Sequence, residues 1–185
     1  MIARTLLISA FCATTLAAAE TVVELDPART KVEWVLGDVL HTVKGTFRLK
    51  SGALHFDPAT GKASGEIVID ATSGESGSGA RDSRMHKNVL ESAKYPEISF
   101  APDRIAGAAA SGNAEIQAHG SFKIHGAAHE MTIPVKAAMG ASEATIDASF
   151  AVPYVAWGMK NPSTLFLRVH DKVEITIHGV AKIKQ

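Results

Sequence analysis

From about residue 113 to the end of the chain, apolar and polar positions alternate one by one. Ile116, Ala118, Gly120, Phe122 and Ile124 are interleaved with Glu115, Gln117, His119, Ser121 and Lys123. Met131, Ile133, Val135 and Ala137 resume the alternation after His125-Gly126. Ala144, Ile146, Ala148, Phe150 and Val152 resume it after Gly140, and Val173, Ile175 and Ile177 complete it. Successive side chains of a strand point to opposite faces, so period two predicts four strands with one buried and one wet face. His125-Gly126 and Gly140 supply the turn signals between them.

The first half repeats the pattern in Val32, Trp34 and Leu36, in Val43, Gly45, Phe47 and Leu49, and in Ile67, Ile69 and Ala71, with Asp57-Pro58 to Gly61 as a turn. Pro134 offers no N–H to a ladder, which predicts an edge strand or a bulge there. Only Ala80 to Ala93 has helical spacing, with Met85, Val89 and Ala93 on one face and Tyr95-Pro96 as its stop. Around eight strands and one short helix predict an all-β fold, an antiparallel barrel or a sandwich.

The inward stripe mixes bulky Trp34, Phe47, Phe122 and Phe150 with small Gly45, Ala71, Ala118, Gly120, Ala137 and Ala148. An eight-stranded barrel either fills with side chains or holds one small ligand. Small inward residues mark a cavity, because interiors do not tolerate empty volume, or they mark bulges and close strand approach. Pattern alone leaves both readings open. No charge falls on the inward face of the regular strands, so a cavity there would suit an aliphatic or isoprenoid chain, with headgroup specificity left to polar groups at the mouth.

Met1 to Arg4 supply one positive charge, Thr5 to Leu16 are mostly apolar, and Ala17-Ala18-Ala19 stands before Glu20. That is the layout of a signal peptide over residues 1–19, too short to span a bilayer, followed by one domain over residues 20–185. Its removal would take away Cys12, the sole cysteine, and with it disulfides, thiolate ligands and thiol nucleophiles. Phe11 before that cysteine argues against a lipoprotein signal. The mature chain would keep all 19 acidic residues and lose Arg4 from the 19 basic ones, a net charge of about −1. A near-neutral chain without a basic run has no electrostatic footprint for nucleic acid.

Several segments resemble those of YceI-like proteins. Leu25-Asp26-Pro27, Val43-Lys44-Gly45-Thr46-Phe47 and Ser51 to Asp57 are similar to the opening of that family. Ala80 to Met85 followed by Lys94 to Phe100 resembles its most recognisable stretch, Gly120 to Gly126 a later hairpin, and Trp157-Gly158-Met159 a segment near the end. The matches run from about residue 22 to 183. The resemblance implies a lipocalin-like eight-stranded antiparallel barrel, a periplasmic or secreted location, no catalytic activity and no cofactor, and a long isoprenoid or similar amphiphile along the barrel axis. The chain departs from the family pattern at Ala28-Arg29-Thr30 and at Pro153-Tyr154.

The candidate ligand-binding residues are Trp34, Gly45, Phe47, Ala118, Phe122, Met139, Ala148 and Phe150, together with Trp157 and Arg81. Trp157 reads equally as core or pocket wall. Arg81 reads as a headgroup contact at the mouth, or as half of an Arg81-Asp82 pair in which Asp82 caps the helix. Lys160 to Thr164 reads as a polar rim loop. The eight histidines show no metal-ligand spacing: His125 and His129 flank a turn, His119 faces outward, and His55 and His86 could meet only through tertiary structure. Gly74-Glu75-Ser76-Gly77-Ser78 lacks the last glycine of a nucleophile elbow, and Asp82 replaces the third glycine of a dinucleotide loop.

Three functions compete. The leading one is non-enzymatic binding, transport or storage of an isoprenoid, a quinone or a related lipid. The second is an interaction or stress-response module with a filled barrel. The third is an enzyme acting on a bound lipid, for which Arg81 and His170 are the residues to test. No later run is long enough for a membrane-spanning helix, and the outward faces carry Lys, Glu, Asp and His at mid-strand, against an outer-membrane barrel. Self-association into a homodimer is left open.

Overall fold

The computed structural model describes residues 21–37, 42–107, 112–164 and 168–184. The expected signal peptide, residues 1–19, lies outside the described residues. Among the described residues nine strands succeed one another: β1 (Thr21–Leu25), β2 (Lys31–Gly37), β3 (Thr42–Phe56), β4 (Ala63–Glu75), β5 (Glu97–Ala106), β6 (Gly112–Ile124), β7 (Ala127–Met139), β8 (Glu143–Val152) and β9 (Val173–Lys184). One short helix, α1 (Gly79–Arg84), lies between β4 and β5 and runs on into a single wider turn over Met85–Val89.

All pairings are antiparallel, and β3 to β9 pair in sequence order, β4 meeting β5 beneath the helical connection. The barrel closes through β1 and β2, each of which pairs with both β3 and β9. These two strands therefore act as one interrupted staff, which reconciles nine strands with the eight-stranded barrel expected from the sequence. The interruption is a short turn at Pro27–Arg29, where the Asp26 carboxylate accepts the Ala28 N–H at 2.9 Å and proline occupies the first helical position.

Two expectations are refined. Pro134 is not at a bulge, since it pairs in register with Gln117, and β7 as a whole lies between β6 and β8. Its ladder with β8 begins only at Val135, so the proline stands where that pairing stops. The register shifts fall in β3 against β4, and at Pro102/Arg104 in β5. The helix is also shorter than Ala80 to Ala93. It ends by Val89, because Glu91 takes a left-handed backbone (φ 46°) and its carbonyl accepts the N–H groups of Lys94 and Tyr95.

The apolar interior gathers Leu25, Val32, Leu49, Ile69, Ile98, Phe100, Phe122, Ile133, Phe150 and Val152, with Tyr154, Met159 and Leu90 closing over one end. No helix among the described residues is long and apolar enough to cross a membrane.

Candidate functional site

The barrel interior is not filled. Two chambers are stacked along its axis, one of about 570 Å³ beneath the helix and one of about 420 Å³ toward the opposite end. Each falls within the range of ligand pockets, roughly 300–1,000 Å³. The helix-side chamber is walled by Trp34, Leu36, Val43, Phe47, Val152 and Val173 and roofed by Met85, Val89, Leu90, Tyr154 and Met159. The far chamber is walled by Leu49, Leu54, Ile67, Ile116, Ile133 and Val135 and floored by Thr21, Pro58, Ile105, Met139 and Ile183. Six residues belong to both walls: Val32, Ile69, Ile98, Phe122, Phe150 and Ile177.

Small residues on the stripe divide by type. Ala118, Ala137 and Ala148 line the far chamber, so alanine there does mark space. Glycine marks close approach. A Cβ on Gly120 would lie 2.3 Å from the Ala101 carbonyl oxygen, beside the Pro102/Arg104 irregularity. A Cβ on Gly45 would lie 2.2 Å from the Glu75 carbonyl oxygen and 2.3 Å from Trp34 Cζ2. Gly45 borders neither chamber; it makes the seat in which the indole of Trp34 lies. Ala71 lines neither chamber and is 1% exposed; its N–H is bonded to the Pro96 carbonyl at 2.9 Å.

Among the other candidates, Trp34, Phe47 and Arg81 border the helix-side chamber, Ala118, Met139 and Ala148 the far one, and Phe122 and Phe150 both. Trp157 borders neither: its ring stacks on His129 with centroids 4.1 Å apart and sits 5.8 Å from Phe122, as backing behind the wall. Sequence reading missed Ile98, because β5 does not alternate. It also missed Met85, Val89 and Arg84 as chamber residues: the helical spacing sets Met85 and Val89 on one face, but does not show that this face roofs a cavity.

Polar groups gather at the helix end. Arg81 Nε donates to Ser76 Oγ at 2.7 Å and its Nη2 to the Ser76 carbonyl at 2.9 Å. The Ser76 hydroxyl in turn donates to Asp82, which holds that carboxyl below its usual range. Asp82 thus ties the preceding loop rather than capping the helix, whose N-cap residue Ser78 makes no side-chain bond. Arg84 is exposed and borders the chamber, and its guanidinium has no hydrogen-bond or ion-pair partner among the described residues. Tyr154, 4% exposed, donates its hydroxyl to the His170 carbonyl at 2.8 Å, and burial pushes its phenol up to about 12.

Among the described residues, neither chamber wall includes a histidine or a carboxylate. The His170 ring instead packs on Gly37, where a Cβ would come within 2.9 Å of it. His86 uses both nitrogens, accepting from the Ser92 hydroxyl at 2.9 Å and donating to the Gly74 carbonyl at 2.8 Å. His125 bonds Glu91 at 2.6 Å, while His129 stacks on Trp157, so the two histidines flanking the turn do not converge. Asp103, His119 and Glu130 cluster on the outer face, with His119 Nδ1 2.8 Å from Asp103 and Nε2 3.8 Å from Glu130. Both imidazole nitrogens are thereby engaged by carboxylates.

The YceI-like domain model matches residues 24–181. The chain belongs to the YceI-like family. That span takes in the whole barrel except the first residues of β1 and the last of β9. Among solved structures, this YceI-like chain is similar to BcnA of Burkholderia cenocepacia, with a TM-score of 0.68, 24% identity, and coverage of 84% of this chain and 98% of that one. It is also similar to a polyisoprenoid binding domain from Saccharophagus degradans implicated in plant cell wall breakdown (TM-score 0.67, 15% identity, 88% and 98% covered). A third likeness is the YCEI protein of Campylobacter jejuni (TM-score 0.62, 17% identity, 79% and 88% covered). At these identities the likeness is one of fold. No curated protein matches.

Proposed function

We propose that this chain is a non-enzymatic carrier or store for a long, single-tailed amphiphile of the isoprenoid or quinone type, working in the periplasm or outside the cell. The observation that carries this reading is the largely apolar interior, two chambers with shared walls. Among the described residues, its charged lining is confined to Arg81 and Arg84 at the helix end, and its far half adds only the hydroxyls of Thr21, Thr30 and Ser99. Burying an alkyl or isoprenoid tail there gains about 0.8 kcal/mol per methylene, and an arginine at the rim suits an oxygen-rich headgroup. The polyisoprenoid-binding description of the Saccharophagus degradans domain supports the same ligand class. The export-signal layout of residues 1–19 supports the location. A filled-barrel interaction module would place side chains where these chambers lie.

The test is mass spectrometry of an organic extract from protein purified out of its native compartment. A co-purifying long-chain lipid is expected. Absence of any such lipid, combined with no uptake of added isoprenoids, would remove the proposal.

A further inference from the structure

The six residues common to both chambers form a ring around the barrel, one each from β2, β4, β5, β6, β8 and β9. Four of them are cross-strand neighbours in two pairs, Val32 with Ile177 and Ile69 with Ile98. The remaining two, Phe122 and Phe150, lean toward each other across β7, their rings edge-on at 74° with centroids 6.1 Å apart. Five of the six are at most 9% exposed, although each borders two cavities. The two chambers thus meet at this level, with these six side chains between them.

The two rings are not equally held. Phe122 is backed by Trp157 at 5.8 Å, itself stacked on His129. Phe150 meets no aromatic ring other than Phe122 among the described residues. Aromatic side chains move between staggered χ1 wells, and Phe150 is the ring of the pair without a second aromatic ring behind it.

We propose that the Phe122–Phe150 pair is a gate that sets a tail-length threshold on ligand binding. This rests on the carrier reading above and deepens it: the ligand is a tail long enough to part the rings, and Phe150 is the leaf that swings. A short tail fills only the chamber bordered by Arg81 and Arg84. A tail that just reaches the ring gains nothing from further methylenes until it passes between the phenyls and enters the chamber lined by Ala118, Ala137 and Ala148.

The experiment measures dissociation constants for straight-chain fatty acids from octanoate to docosanoate against the delipidated full chain. In the native protein, affinity is expected to rise about fourfold per methylene, to level off over intermediate lengths, and then to rise again. Phe150→Leu, which keeps apolar bulk without the ring, is expected to erase the plateau, and Phe122→Ala to do so if it folds. Ala148→Leu, which narrows the far chamber alone, is expected to remove the second rise. A single uninterrupted slope in the native protein would overturn the gate while leaving the carrier reading standing. So would a plateau unchanged in Phe150→Leu. Failure to bind a fatty acid of any length would overturn the gate, whereas the carrier reading falls only if added isoprenoids are not taken up either.

Discussion

The indole of Trp34 lies against the bare Cα of Gly45 on the neighbouring strand, so close that a methyl group there would stand 2.3 Å from Trp34 Cζ2. The same methyl would stand 2.2 Å from the Glu75 carbonyl oxygen, which belongs to β4 and cannot move alone. Gly45→Ala is therefore expected to displace the ring into the helix-side chamber. Overpacking of this kind costs about 1–3 kcal/mol. Urea denaturation should show the loss of stability, and tryptophan emission should report the ring's new surroundings.

Tyr154 offers a test by pH. Its phenol is pushed up to about 12 in the folded chain, against about 10 in an unfolded one. Between those values the unfolded state releases the proton first, so stability is full below about pH 10 and falls as pH rises toward 12. The loss is on the order of 2 kcal/mol. Denaturant melts across that window should show it, and Tyr154→Phe should remove this part of the pH dependence while leaving that of the paired lysines Lys50 and Lys94. It should also lower stability at neutral pH, because the His170 carbonyl loses its donor.

The β6–β7 hairpin turns through two residues with positive φ, His125 at 51° and Gly126 at 78°. A two-residue turn of this hand matches strand twist, and a Cβ on Gly126 would meet Tyr95 Cε1 at 2.5 Å. Gly126→Ala should cost roughly 1–3 kcal/mol, whereas His125→Asn should fold, since asparagine tolerates that conformation. Thermal melting of the two variants distinguishes them.

Arg84 is an exposed cation beside an apolar chamber. Arg84→Ala should leave stability within about 0.5 kcal/mol of the parent. Under the carrier reading it should weaken dodecanoate binding by roughly tenfold, the scale of one charge-assisted hydrogen bond, and leave dodecanol nearly unaffected. Equal losses for acid and alcohol would show that the arginine does not read the headgroup.

Much of this architecture was legible in the sequence because antiparallel strands with one wet face print their geometry directly as alternation. The strands through Phe122, Ile133, Phe150 and Ile175 were visible that way. β5 was not, since Ile98, Ser99 and Phe100 are all buried and Pro102 sits at a register shift two residues on. The helix end was misplaced because Glu91 adopts a left-handed backbone without the glycine that usually announces one. Within the site, Trp34, Phe47 and the alanines were legible as inward residues. For Gly45 and Trp157 the pattern leaves wall and support open, because a supporting role depends on which atoms meet across strands. The ring between the chambers was invisible for the same reason: its members come from six strands, spread from residue 32 to residue 177.

The split between alanine and glycine on the inner face has a consequence for how such a barrel can change. Gly45 and Gly120 cannot gain a side chain without pushing on backbone, so they are fixed by the scaffold. Ala118, Ala137 and Ala148 face open volume, and each can grow or be restored without disturbing strand register. Cargo preference and folding are therefore encoded at separate positions, and a lineage could exchange one guest molecule for another by altering a few methyl groups while inheriting the wall intact.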